Sequence, residues 1–134
     1  RSHKTDISGA LKFLSNVLKK KSIVFLLSDF LAEDYEHNLR ITGRKHDLTG
    51  IRVYDPMECS LPSLGVVSMQ DAETGEVRWV NTQSRKVRDA YESYYRDHVE
   101  YFRDTFNRAG CGQLDCRVNE SYVKKILAYF KRRT

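Results

Sequence analysis

Residues 22–28 read Ser-Ile-Val-Phe-Leu-Leu-Ser, with five consecutive apolar side chains and no proline, glycine or charge among them. A strand with one face in water alternates polar and apolar residues, whereas an unbroken apolar run is expected of a central parallel strand covered by helices on both faces. An amphipathic stretch precedes it. In residues 7–20, Ile7, Ala10, Leu11, Leu14, Val17 and Leu18 recur at helical spacing, with Thr5 or Asp6 as N-cap and Lys19, Lys20 and Lys21 at a basic end. Asp29 follows the strand directly.

The remaining sequence continues this alternation. Residues 33–45 predict a weaker helix with Tyr35, Leu39 and Ile41 inward, and residues 48–54 a second strand stopped by Asp55 and Pro56. Residues 57–64 read as a loop. Two short β-rich runs, 66–70 and 77–81, flank a polar connection containing Gly75 and predict a hairpin, with Trp79 packing it onto the body. Residues 84–109 predict the longest helix, with Val87, Tyr91, Tyr94, His98, Tyr101, Phe102 and Thr105 as its inner stripe and Gly110 just past its end. A strand over 113–118 and a final helix capped by Asn119, with Tyr122, Val123, Ile126, Leu127 and Phe130 inward, complete the order. Helices alternating with strands imply an α/β fold: a Rossmann-like, mostly parallel sheet with right-handed crossovers and an inserted β-hairpin. With 134 residues and no linker or repeat, the whole chain reads as one unit.

Composition narrows the function classes. The net charge is +5, from 23 Lys plus Arg against 18 Asp plus Glu, but the cations alternate with acids along the chain. The tightest cluster, Lys131, Arg132 and Arg133, ends a predicted helix, where cations complement the helix dipole without a ligand. Specific nucleic-acid binding is therefore not expected. No apolar run approaches the ~20 residues of a membrane span. Cys59, Cys111 and Cys116 form neither an even set nor a C-x-x-C pair, so neither a disulfide framework nor structural zinc is indicated; Cys116 reads as a small buried hydrophobe, and a reducing cytoplasmic compartment fits.

Ligands of open parallel sheets bind beyond the carboxyl ends of the strands. The polar residues expected there are Asp29 and Asp55, with Thr5 opening the first helix and Glu58 just beyond Asp55. A hydroxyl and a carboxylate are suitable hard ligands for magnesium, although two oxygens are too few to hold it alone. An Asp at a strand end is also a common turn former. His3, His37, His46 and His98 share no metal-ligand spacing, and His98 reads as a satisfied buried histidine. The aromatics Tyr91, Tyr94, Tyr101 and Phe102 could stack on bases, but at helical spacing they read as core. Asp47 and Asp55 bracket the second strand. No Gly-rich phosphate loop, nucleophile elbow or H-E-x-x-H motif is present.

Thr5-Asp6-Ile7 opening a helix, then residues 23–27 followed by Ser28-Asp29-Phe30, resembles the second half of a von Willebrand factor A domain. The runs His46-Asp47-Leu48, Arg52-Val53-Tyr54-Asp55-Pro56-Met57-Glu58, Leu61-Pro62-Ser63-Leu64-Gly65 and Asp71-Ala72-Glu73-Thr74-Gly75-Glu76 resemble the bacterial family called domain of unknown function 58. So do Trp79-Val80-Asn81-Thr82, Val87-Arg88-Asp89-Ala90-Tyr91 and Tyr129-Phe130-Lys131-Arg132-Arg133, so the likeness covers nearly the whole chain. The resemblance implies that Thr5 and Asp29 occupy two positions of a metal-ion-dependent adhesion site. It departs in one respect: the Asp-x-Ser-x-Ser loop that supplies the main ligands is absent, and Asp6-Ile7-Ser8-Gly9-Ala10 is only a partial likeness that reads as a helix start. The strands expected before Arg1 are missing too, so the sequence reads as the C-terminal portion of that fold.

Two functions are expected from this reading. The first is a non-enzymatic interaction or scaffolding module, binding Mg2+ at full length but not tightly as this portion alone, and working, as the resemblance implies, beside a MoxR-type AAA+ ATPase in protein assembly or maturation. Without a strand beside residues 23–27, self-association through that open edge is expected as well. The alternative is a magnesium-dependent nuclease or phosphohydrolase using Asp29, Asp55 and Glu58, which would need three or four converging carboxylates. A scaffold with no working metal site at all is the third.

Overall fold

A computed structural model describes residues 6–56, 66–70, 77–81 and 84–133; for 66–70 and 77–81 it describes the backbone only. The elements are α1 (Ile7–Val17), β1 (Ile23–Ser28), α2 (Glu36–Lys45), β2 (Asp47–Tyr54), β3 (Val66–Gln70), β4 (Val77–Asn81), α3 (Arg85–Arg108), β5 (Gly112–Arg117) and α4 (Tyr122–Arg133). The order matches the alternation expected from the sequence. β1, β2 and β5 form a parallel sheet in the order β1-β2-β5, and β3 and β4 pair antiparallel as a separate hairpin. The connection of that hairpin and the Trp79 side chain lie outside the described residues.

Register assigns the two faces of the sheet. Val24 lies opposite Leu48, and Leu26 opposite Gly50. This face meets the main core, in which Val24 and Leu26 pack against Ile7, Leu11, Phe30, Tyr35, Leu39, Phe102 and Phe106 from α1, α2, α3 and the loop after β1. Gly50 is needed there, because a Cβ at that position would lie 2.5 Å from Phe106 Cε2 and 3.0 Å from Phe102 Cε1. The opposite face carries Phe25, Thr49 and Gly112 in one row. It meets α4, where Phe130 stands edge-on to Phe25 at 5.6 Å between ring centroids and Tyr129 lies over Gly112.

Local chemistry explains the element ends. Asp6 caps α1 by accepting from Gly9 N at 2.8 Å, and Ser84 caps α3 by accepting from Val87 N. Gly110 takes φ 70° just past α3; its N–H reaches Asn107 O while Cys111 N–H reaches Phe106 O, the paired bonds of a Schellman turn.

Several expectations need correction. α1 stops at Val17, so Lys19, Lys20 and Lys21 lie beyond it, and Val17 is exposed rather than inward. α2 begins at Glu36 rather than residue 33, because Asp34 takes φ 58°, a left-handed conformation incompatible with a right-handed helix; Thr42, not Ile41, joins Leu39 in its buried face. The inner stripe of α3 is Tyr95, His98, Phe102, Thr105 and Phe106, with Tyr94 turned outward. Ser121, accepting from Lys124 N, takes the capping role assigned to Asn119.

The largest correction concerns β1. It is the edge strand of the described sheet, and it is not covered on both faces: Ile23 is 61% and Leu27 44% exposed. α4 spans this face but lets Tyr122, Val123 and Leu127 face solvent, contrary to the inward stripe expected of them; Ile126 and Phe130 are half-buried. Among the described residues, α4 meets β1 through the Phe130–Phe25 ring contact, and apolar side chains of both elements stay open to water beside it.

Candidate functional site

The carboxyl ends of β1, β2 and β5 are brought level by register: Ser28 opposes Arg52, and Arg52 opposes Asp115. Asp29 leaves the sheet one residue past Ser28. Its Oδ1 accepts from Leu31 N at 3.1 Å, and Ser28 Oγ accepts from Phe30 N at 3.0 Å. These two side-chain turns hold the backbone between β1 and α2. They direct Phe30, at φ 55°, into the core, where it stacks on Phe102 at 4.3 Å and meets Phe106 at 5.4 Å. One carboxylate oxygen of Asp29 is thus committed to a turn, the commoner role of an Asp at a strand end. Thr5 and Glu58 lie outside the described residues. Asp55 follows Tyr54 at the end of β2, on the same edge as Asp29, whereas Asp47 sits at the opposite, amino end and pairs with Arg133 at 3.0 Å.

Beside Asp29 lies a charged web that sequence reasoning passed over. Arg52 is buried. Its Nε donates to Asp115 Oδ1 at 2.8 Å, its Nη1 donates to the Tyr95 hydroxyl at 3.2 Å, and its guanidinium lies 4.3 Å from the centroid of the Tyr54 ring. Arg103 Nη2 donates to the other oxygen, Asp115 Oδ2, at 2.7 Å. Burial pushes the Asp115 carboxyl up, but the hydrogen bonds from Arg103 and Arg52 outweigh it and hold the group below the usual carboxylate range. A buried guanidinium needs such a partner, since an unpaired one would be severely desolvated. The signal was present in the sequence as charges inside otherwise apolar strand patterns: Arg52 between Ile51 and Val53, Asp115 between Leu114 and Cys116.

The other candidates fall into place individually. His98 is buried in α3, its Nδ1 2.8 Å from Tyr94 O and its Nε2 3.6 Å from Glu33 Oε1. His46 is buried at the amino end of the sheet, where its Nδ1 accepts from Ser22 N at 3.0 Å. His37 is exposed on α2, and His3 lies outside the described residues. Of the aromatics expected in the core, Phe102 is there, Tyr91 and Tyr101 are half-buried and Tyr94 is exposed. Cys111 and Cys116 are free, buried thiols, while Cys59 lies outside the described residues. Burial, then the nearby Asp47 charge, pushes the Cys111 thiol up, so it stays protonated and unreactive near neutral pH. Among the described residues, no three His, Cys, Asp or Glu side chains gather where they could hold a metal ion, and no helix is long and apolar enough to cross a membrane. Chemically, the edge offers two carboxylates among the described residues, Asp55 and the partly committed Asp29, beside an ion-pair web.

Comparison with known proteins adds the family. The chain is 27% identical over 129 residues to an uncharacterized protein of Mycobacterium avium, covering 96% of this chain and 76% of that one. It is 26% identical to uncharacterized proteins of Mycobacterium tuberculosis and Mycobacterium bovis over the same share of this chain, but spans only 40% of their length. No solved structure gives a significant match. The family described as protein of unknown function DUF58 matches residues 1–101. With three-quarters of its length so matched, the chain belongs to the DUF58 family.

Proposed function

We propose that this chain is a non-enzymatic interaction and scaffolding module of bacterial cytoplasm on a von Willebrand factor A-like sheet, its Asp29 edge contributing to a metal-ion-dependent adhesion site. In this reading it works beside a MoxR-type AAA+ ATPase in the assembly or maturation of other proteins. The observation that carries the reading is the position of Asp29. It sits at the carboxyl tip of a parallel strand, where such sheets bind ligands, on a loop fixed by Phe30 and by two side-chain turns. The apolar side chains left open along β1 and α4 favour protein contact over chemistry.

Magnesium held with Thr5 and Asp29 would leave a coordination position for an acidic side chain of the partner. The remaining ligands would come from elsewhere in a longer protein, so the 134-residue chain alone should bind magnesium weakly. The test is binding of a purified MoxR-type ATPase to a longer protein that contains this chain and the remaining ligands, followed calorimetrically in magnesium and in excess EDTA, with Asp29→Asn as the variant. Binding that needs magnesium and is lost in the variant supports the reading; no binding, or binding indifferent to both, overturns it. Asp29-dependent hydrolysis of single-stranded nucleic acid or simple phosphodiesters with magnesium or manganese would instead favour an enzyme.

A further inference from the structure

A pocket of about 530 Å³ opens at the amino end of the sheet, the end away from Asp29, with Lys21, Arg44, His46, Asp47, Cys111 and Arg133 among its lining residues. Its frame is set by Ser22. The Ser22 N–H donates to His46 Nδ1 at 3.0 Å, the Ser22 hydroxyl donates to Lys20 O at 3.0 Å, and Ser22 O accepts from Asp47 N–H at 2.9 Å. These three bonds tie the backbone around Lys21 to the start of β2, where His46 and Asp47 stand.

Two features of this lining call for an anion. The first is His46, which is only 4% exposed. Ser22 N–H occupies the lone pair of its Nδ1, so the ring carries its proton on Nε2. That N–H is buried and meets no acceptor among the described residues. Buried donors are seldom left so, because an unmet N–H has given up its bonds to water for nothing. The second is charge. Lys21, Arg44 and Arg133 stand against one carboxylate, Asp47. Asp47 and Arg133 satisfy each other at 3.0 Å, and among the described residues no carboxylate neutralises Lys21 or Arg44. Arg44 lies in the last turn of α2, where a cation complements the helix dipole. The dipole explains neither Lys21 nor the unmet imidazole donor on the same pocket.

We infer that this pocket binds a small phosphate monoester. At neutral pH a phosphate monoester carries close to two negative charges, which match the two cations left without a carboxylate. Its three terminal oxygens can each accept a bond, one from the Lys21 ammonium, one from the Arg44 guanidinium and one from His46 Nε2–H. A carboxylate ligand has one charge and two oxygens, so it would leave a cation unmatched. Size points the same way. Pockets for small organic ligands run from roughly 300 to 1,000 Å³, so the space here admits the organic part of an ester as well as its phosphate. This function goes beyond the interaction reading: it lies at the other end of the sheet and calls on neither magnesium nor a partner protein.

The test is calorimetric titration of the full-length protein in EDTA with inorganic phosphate, a sugar monophosphate and a nucleoside monophosphate, with acetate as the singly charged comparison. Inorganic phosphate and at least one ester should bind at one site per chain, at least tenfold more tightly than acetate. The tighter ester identifies which kind of molecule carries the phosphate. Lys21→Ala/Arg44→Ala changes two exposed side chains and should weaken phosphate binding at least tenfold, with circular dichroism checking that the variant folds. In protein carrying isotopically labelled histidine, phosphate should shift the ring-nitrogen resonances of His46 and leave those of the exposed His37 in place. No saturable binding, binding no tighter than acetate, refusal of both esters, indifference to the double variant, or an unmoved His46 signal each overturns the inference. Because the titration contains neither magnesium nor ATPase, its failure leaves the Asp29 reading standing, and loss of that reading leaves this one untouched.

Discussion

Arg52 and Asp115 face each other across β2 and β5 at 2.8 Å, a buried guanidinium neutralised by a carboxylate whose other oxygen is held by Arg103. The pair joins the last two strands of the sheet at the end where Asp29 emerges. Its strength is asymmetric: Arg52 is the member that cannot reach water.

Asp115→Ala should therefore cost about 2–3 kcal/mol, below the usual cost of breaking a fully buried pair because Asp115 itself is about a third exposed. Arg103→Ala, at the half-exposed arm, should cost about 0.5–1 kcal/mol. Urea denaturation of both variants measures the difference. Equal small losses would mean that Arg52 finds water when unpaired.

Acid should undo the same contact. The carboxyls of Asp115, Glu36 and Glu120 all lie below their ordinary values in the folded chain: Asp115 for the reasons given, Glu36 mainly through its hydrogen bond from Arg108, and Glu120 mainly through the Arg117 backbone N–H. A folded-state value below the unfolded one means that the unfolded chain takes up protons first. The stabilisation is complete above the ordinary carboxylate range near pH 4 and is lost as pH falls through the lower folded values. The thermal midpoint should be flat from pH 7 to 5 on account of these groups and drop steeply below about pH 4. Asp115→Asn should make that drop shallower.

Gly50→Ala tests the close approach of sheet and helix. The added methyl meets the rings of Phe106 and Phe102, which are themselves wedged against Phe30, so nothing can yield cheaply. A loss of about 1–3 kcal/mol is expected by chemical denaturation. Gly112→Ala meets the tip of Tyr129 on α4, a helix with no buried residue that can shift, but its Cβ also lies 2.9 Å from the buried Thr49 hydroxyl, so a loss of similar size is expected.

Asp29 has two separable roles. Asp29→Asn keeps an oxygen to accept from Leu31 N–H and should leave the denaturation midpoint nearly unchanged. Asp29→Ala removes the acceptor and should cost about 1 kcal/mol. Loss of partner binding in the Asn variant then reports charge rather than loop geometry.

Element order and type were legible in the sequence because apolar periodicity is a local property: residues 22–28, 48–54 and 113–118 announce strands wherever they lie, and the strands found differ by a residue at their ends. Which side chains face inward was less legible. Tyr122, Val123 and Leu127 have the spacing of a core stripe, yet whether they are covered depends on how much sheet α4 meets, which is a tertiary property. The Arg52 web was missed because a single strand does not reveal that Asp115 is its neighbour; only the register of β2 with β5 does. Asp29 was found because a strand tip is marked locally, and the turn-forming role open to an Asp at such a tip is the one it takes, through Leu31 N–H.

Phe30 also determines how this molecule bears mechanical load. It is bonded directly to Asp29 and is wedged among Phe102, Phe106 and Tyr35. A tug on the Asp29 carboxylate is therefore transmitted straight into the aromatic stack, with no intervening hinge to absorb it. The edge is anchored as a rivet is, and a force large enough to displace it must first pull a ring out of the protein's interior.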